Sequence, residues 1–341
     1  MVETKLGILS YKEYQTTKDE ISMEIIEQYI KEYQQLKIAL KWKVPDKTIN
    51  MAIAANYVMK DKEIDSDKLL IIADTIKSQA GLFSSMKSHS RFLTASIMDI
   101  NFENPTEQVP ELFTYYKQFR NEKFSSGTFT YIAATLLLVS ELNPDEIIPK
   151  AKDLYDRMKQ EHAFLTTASD YPLATLLTIE GRTDTIEQME TFYEELSKNG
   201  FSKGNDLQFL SHILSLPPNE NSQTLISRAI SVYDSLKVIG IRSKRTYYPV
   251  IGMLALLPNE ELDMKKIKDL YDRLMLEKDF KWQKDVNVMM AVNFFVKGKL
   301  EHTTLAETSL YTVVEAIIQA QQAVMTASIV AAATASNSNN N

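Results

Sequence analysis

Four histidines, His89, His162, His212 and His302, are the only imidazoles in a chain of 341 residues that has no cysteine at all. A zinc centre needs imidazole, thiolate or carboxylate ligands converging at short helical or hairpin spacings. No two of these histidines stand three or four residues apart, and there is no His-Glu-x-x-His. Nine glycines form neither a phosphate-cradling loop nor a Gly-x-Ser-x-Gly elbow. The residue types thus suggest no catalytic residue, no metal and no cofactor. Without cysteine there is no disulfide and no thiol nucleophile, which suits a reducing compartment.

The most informative constellation is a ladder. Apolar segments recur around the reference positions Ala95, Ala134, Ala174, Ser211, Ile251 and Ala291, at spacings of 39, 40, 37, 40 and 40. Three residues before the first five stand Phe92, Tyr131, Tyr171, Gln208 and Tyr248. One residue after them stand Ser96, Thr135, Thr175, His212 and Gly252. Offsets of −3 and +1 differ by four, so both series share one helix face. Such a stripe of rings beside small polar groups could line a concave groove and grip a partner segment, because Tyr offers a large contact area with a polar end. It could equally pack between repeats, the small residues allowing close helix approach. A second, scattered set of polar residues, His89, Arg91, Asp170, Lys244 and Arg245, lies at the starts of the same helices. His89 and Arg91 could face a cleft and Lys244 and Arg245 could hold a phosphate or an acidic peptide, or these residues serve as caps and surface charges.

The elements that must carry this ladder are helical. A Tyr with an apolar residue three later recurs at Tyr116, Tyr155, Tyr193, Tyr233 and Tyr271, spaced 39, 38, 40 and 38, with Tyr311 forty further on. This beat is out of phase with the first. Each unit therefore reads as an apolar helix, a polar turn and an amphipathic helix, with the repeated Tyr as a stacking knob between neighbours. Asn143-Pro144-Asp145-Glu146 and Pro258-Asn259-Glu260-Glu261 supply caps and acids where a helix begins. Gly200 and Gly240 precede a closing apolar residue, as a left-handed helix stop does. Pro172 and Pro249 place helix starts near Asp170 and Thr246.

The fold class expected is an all-α, α-α superhelix, a solenoid of about seven hairpins with a roughly 40-residue period. Residues 1–16 read as a tail and 17–335 as a single solenoid. Within it, 17–81 is a divergent N-terminal cap (a long helix over 17–40, then helices over 48–59 and 65–79), 82–300 holds the regular repeats, and 301–335 is a C-terminal capping helix. The polar residues 336–341 read as disordered.

A formal charge of −7 counts against nucleic acid as the main partner. No run of apolar residues is long enough to span a membrane, and the start of the chain lacks the apolar core of a signal peptide, which points to a cytoplasmic protein. The reading that follows is a non-enzymatic scaffold binding a protein or peptide in its groove. The alternatives are an RNA-binding helical-repeat protein, and a small-ligand-binding or enzymatic protein with an unfamiliar helical cavity.

Tyr233-Asp-Ser-Leu236 and Tyr271-Asp-Arg-Leu274 resemble the second helix of tetratricopeptide and pentatricopeptide repeats, although those units are shorter. More specifically, Ser88-His89-Ser90-Arg91-Phe92 followed by Ala95, with the hairpins to about Phe280, resembles the bacterial domain of unknown function 4003 over roughly residues 15 to 320. That resemblance implies a bacterial cytosolic protein and transfers no catalytic residue.

Overall fold

The computed structural model describes residues 11–161, 165–183, 185–217, 220–242 and 244–300, with side chains from residue 23 to 299. Among them the chain is all-helical, fourteen α-helices with no strand. The odd-numbered helices are α1 (Tyr11–Ala39), α3 (Ser66–Gln79), α5 (Val109–Asn121), α7 (Pro144–Glu161), α9 (Ile186–Lys198), α11 (Ser222–Val238) and α13 (Met264–Leu276). The even-numbered helices are α2 (Lys47–Met59), α4 (Arg91–Asn101), α6 (Thr128–Ser140), α8 (Tyr171–Ile179), α10 (Asn205–Leu214), α12 (Tyr248–Leu256) and α14 (Lys284–Leu300). No helix among the described residues is long and apolar enough to cross a membrane.

The two sets differ in burial because they differ in composition. Even helices are mostly apolar on every side, with Asn56, Arg91, Asp99, Gln208 and His212 among the buried exceptions, and residues 48–58, 91–100, 130–138 and 171–178 are buried without interruption. A helix apolar all round belongs inside. Odd helices bury one stripe, as in α1 with Ile25, Tyr29, Tyr33 and Leu36, and leave their charged face in solvent. Their ends follow local chemistry. Asp46, Asp65, Asn221 and Asp263 each accept a backbone N–H of the helix that follows. Gly200 and Gly240 have φ of 89° and 80°, and behind them the N–H of Phe201 and Ile241 returns to the carbonyl of Leu196 and Leu236. Lys123 takes the same left-handed place, with φ 67°, where the sequence carries no glycine.

Two expectations need correction. Each odd helix packs most extensively on the even helix that follows it, so the tight hairpin is amphipathic-then-apolar, the reverse of the expected unit. The closing apolar residues explain this phase. Phe124 packs edge-on against Phe119 at the end of α5, which draws α6 back onto α5. The ends of the described chain also do not stand free as in an open superhelix. α1 packs on α13 and α14, and α2 on α14. Tyr29 meets Phe280 and Phe294 at centroid distances of 5.5 and 5.0 Å, and Tyr33 meets Phe280 at 4.7 Å, all fully buried. Arg273 grips Glu27 at 2.7 and 2.9 Å, and Lys37 pairs with Asp279 at 2.6 Å. The hairpins form a ring. The step from α8 to α10 is bridged by side chains: Gln208 donates to Thr166, and Arg182 to the Ser215 carbonyl.

Candidate functional site

The ladder lies inside the protein. Phe92, Tyr131, Tyr171, Gln208, Tyr248, Ser96, Thr135, Thr175 and His212 are all buried, Tyr171 being the most accessible at 5%. The polar ends of the three tyrosines, of Gln208 and of Ser96 join hairpins. Tyr131 shares a hydrogen bond with Ser84 Oγ at 3.0 Å. Tyr171 accepts from the N–H of Ser125 at 3.1 Å, and Tyr248 from that of Ser202 at 2.8 Å. In each case the serine sits in the turn of the preceding hairpin. The rings do the same work: Tyr171 packs on Phe124, and Tyr248 on Phe201. Ser96 accepts from Asn56 of α2, and Thr135 donates to the Tyr131 carbonyl. Burial pushes the Tyr131 phenol up to about 12, so it stays neutral. Side chains this deep offer a partner almost no surface, so they do not form the exposed lining of a groove.

His89, Arg91, Asp170, Lys244 and Arg245 share one end of the ring without converging. His89 is half-buried, and its pKa is lowered by burial and then by the neighbouring Arg91. Arg91 donates to the carbonyls of Lys87 and Ser88, and its guanidinium lies 4.4 Å from the Phe92 ring centre. Asp170 is buried and accepts from the Thr167 N–H in a capping box. Burial pushes its carboxyl up to about 7. Lys244 pairs with Asp285 at 2.6 Å, and Arg245 is exposed beside the start of α10, where burial raises the Asp206 carboxyl and the Arg245 charge offsets part of that rise. His162 and His302 lie outside the described residues. Among those described, no group of three His, Cys, Asp or Glu is placed to hold a metal.

The feature that spacing did not reveal is the end of the ring where odd helices turn into even ones, here the near rim. Its turns are linked in a complete circuit. Lys43 pairs with Asp74 of α3 at 3.8 Å, and Ser84, Ser125, Thr166 and Ser202 bond in turn to Tyr131, Tyr171, Gln208 and Tyr248. Lys244 then pairs with Asp285, and Lys37 with Asp279. Four consecutive turns around the ring closure carry seven of the nine exposed large hydrophobics among the described residues. They are Val238, then Leu276 and Trp282, then Ile38 and Trp42, then Leu82 and Phe83. Trp42 is 88% exposed, Trp282 76% and Phe83 fully. Basic residues flank them, among them Lys41 and Lys43, Lys77 and Lys87, Arg242, and Lys278 with Lys281. The opposite rim is acidic. Its turns hold Glu103 and Glu107, Glu141 with Asp145 and Glu146, and Glu260 with Glu261, and the one large exposed hydrophobic there is Leu142.

Two concave surfaces lie away from these turns. A cavity of about 310 Å³ lined by Glu24, Gln28, Asp61 and Lys62 sits against α1. A groove of about 580 Å³ lined by Asn221, Thr224, Ser227, Arg228 and Asn259 runs along α11.

The fold and its surfaces therefore define an all-helical protein of paired helices with an asymmetric pair of rims. The chain belongs to the family described as "Protein of unknown function (DUF4003)", which it matches over residues 32–323. It is 36% identical over 313 residues to "Uncharacterized protein YeaA" of Bacillus subtilis (strain 168), covering 90% of this chain and 94% of that one. No solved structure matches it.

Proposed function

We propose that the protein is a non-enzymatic scaffold of roughly forty-residue helical hairpins that engages its partner through the apolar and basic turns of the near rim, with the inner ladder serving to hold the hairpins together. The observation that carries this reading is the arc from Val238 through Trp282 and Trp42 to Phe83. Exposed apolar side chains gathered on neighbouring turns and bordered by charge mark an interaction surface, whereas singly scattered ones do not. The ladder's three tyrosine hydroxyls, bonded to serines of neighbouring turns, support assigning it to packing.

Photo-crosslinking tests the assignment. A benzophenone side chain replacing Trp42 in the full-length protein is expected to capture a partner in cells, and the same group replacing Leu142 on the opposite rim is expected to capture none. Tyr131→Phe/Tyr171→Phe/Tyr248→Phe should keep the capture from position 42. Equal crosslinking from both rims, or loss of capture in a folded ladder variant, would refute the reading.

A further inference from the structure

We propose that the near-rim arc is a peripheral docking surface for an anionic lipid bilayer. The inference rests on the scaffold reading and names its partner.

The chemistry of the arc is that of an interfacial anchor. The arc joins exposed residues of the turns, Trp42, Leu82, Phe83 and Trp282, with exposed residues from the last turns of α1, α11 and α13, Ile38, Val238 and Leu276. A set of separate protruding side chains fits a deformable surface that closes around each of them. Trp and Phe settle at the headgroup level of a bilayer, and basic side chains beside them meet lipid phosphates. The spacing here is suited to that pairing. Lys41 Nζ is 5.1 Å from the centre of the Trp42 ring, and Lys281 Nζ is 5.8 Å from that of Trp282.

Charge orients the molecule as well. With a net charge of −7 the protein as a whole is repelled by an anionic surface, so approach is favourable only when the basic arc leads and the acidic rim trails. A second copy is the poorer occupant. Its acidic rim would complement the charge, but it presents only Leu142 to seven apolar side chains. The arc is also a product of ring closure, because residues 38–42 and 276–282 are neighbours only where α1 meets α13 and α14.

The test needs no label. The chain contains two tryptophans, and both are on the arc, so the intrinsic emission of the full-length wild type reports this surface alone. Equimolar phosphatidylcholine–phosphatidylglycerol vesicles are expected to shift that emission to shorter wavelength. Brominated lipid should quench it and added salt should reverse the shift, while phosphatidylcholine vesicles leave it unchanged. Each basic side chain near such a surface contributes about a factor of five in binding, so Lys41→Gln/Lys281→Gln should lower vesicle partitioning about 30-fold. Lys152→Gln, distant on α7, should not, and all three proteins should melt alike. Unchanged emission with anionic vesicles, or sedimentation with them without a Trp response, overturns the lipid proposal. If emission then shifts with a lipid-free protein fraction, the scaffold reading stands and the lipid fails. A shift with protein concentration alone assigns the arc to a second copy, and no response to any of these overturns both.

Discussion

Phe280 is where the ring closes, and truncating it separates a closed ring from an open array. The side chain is 1% exposed and touches both Tyr29 and Tyr33, which belong to the opposite end of the described chain. Phe280→Ala removes a buried ring, a change that costs about 3–5 kcal/mol including the cavity left behind. The ion pairs across the same junction cannot compensate. Arg273–Glu27 and Lys37–Asp279 have one partner roughly half exposed, and such pairs are each worth about 1 kcal/mol or less. The aromatic cluster therefore decides whether α1 stays docked. Hydrogen exchange measured by mass spectrometry is the assay. In Phe280→Ala, protection of residues 23–36 and of α14 should fall together, by between about a hundredfold and a few thousandfold. Phe124→Ala, an equally buried ring in an interior turn, should cost similar overall stability while leaving α1 no less protected than the global value. If Phe280→Ala leaves exchange in α1 unchanged, the junction does not hold the ring.

Four further outcomes follow from the packing. Tyr57 donates to the buried Asp99 carboxylate at 2.6 Å, so Tyr57→Phe should lower unfolding free energy by about 1.5–3 kcal/mol in urea titration without changing the slope. A Cβ at Gly252 would come within 2.9 Å of Ile213 Cγ2 and Leu210 Cδ1. Gly252→Val should therefore force α10 and α12 apart and cost about 1–3 kcal/mol by the same titration. Tyr171→Phe loses a bond to an exposed serine that water can replace, so its cost should stay near 1 kcal/mol, well below that of Tyr171→Ala. The carboxyl of Asp170 is raised in the folded state to about 7, above its ordinary value of 3.8. The folded protein thus binds the extra proton, and this stabilisation is complete below about pH 4 and lost as pH rises through 7. Melting temperatures from pH 4 to 8 should fall more steeply for wild type than for Asp170→Asn, and equal slopes would contradict the assignment.

Much of the helix pattern was legible because it is written locally. The cap at Asn143, the stops at Gly200 and Gly240 and the prolines at 172 and 249 act within four or five residues, and the helix starts fall within a few residues of where they point. By contrast, Asn259–Glu261 forms a 3-10 turn, and α13 is capped by Asp263. Lys123 broke the pattern because a left-handed stop can be held by packing of the following Phe124 without glycine. Closure was not legible, since Arg273 and Glu27 are 246 residues apart and nothing local marks them as partners. The ladder's face could be read but not its exposure: a helix face is fixed by spacing, whereas what covers it depends on neighbouring hairpins. The near-rim arc escaped notice for a related reason. Lys41-Trp42-Lys43 and Lys281-Trp282 each look like an ordinary charged turn, and only their adjacency in space makes a surface.

Closure also fixes how this chain can vary. An open array tolerates the gain or loss of a hairpin, because a new unit needs only two neighbours and the ends move apart to admit it. Here α14 must reach α1 and α2 at a set rotation, so a forty-residue insertion or deletion would leave Phe280 facing water rather than Tyr29. Variation in length is thereby directed into the turns of the two rims, and descendants of this fold should differ in their loops while keeping the number of hairpins.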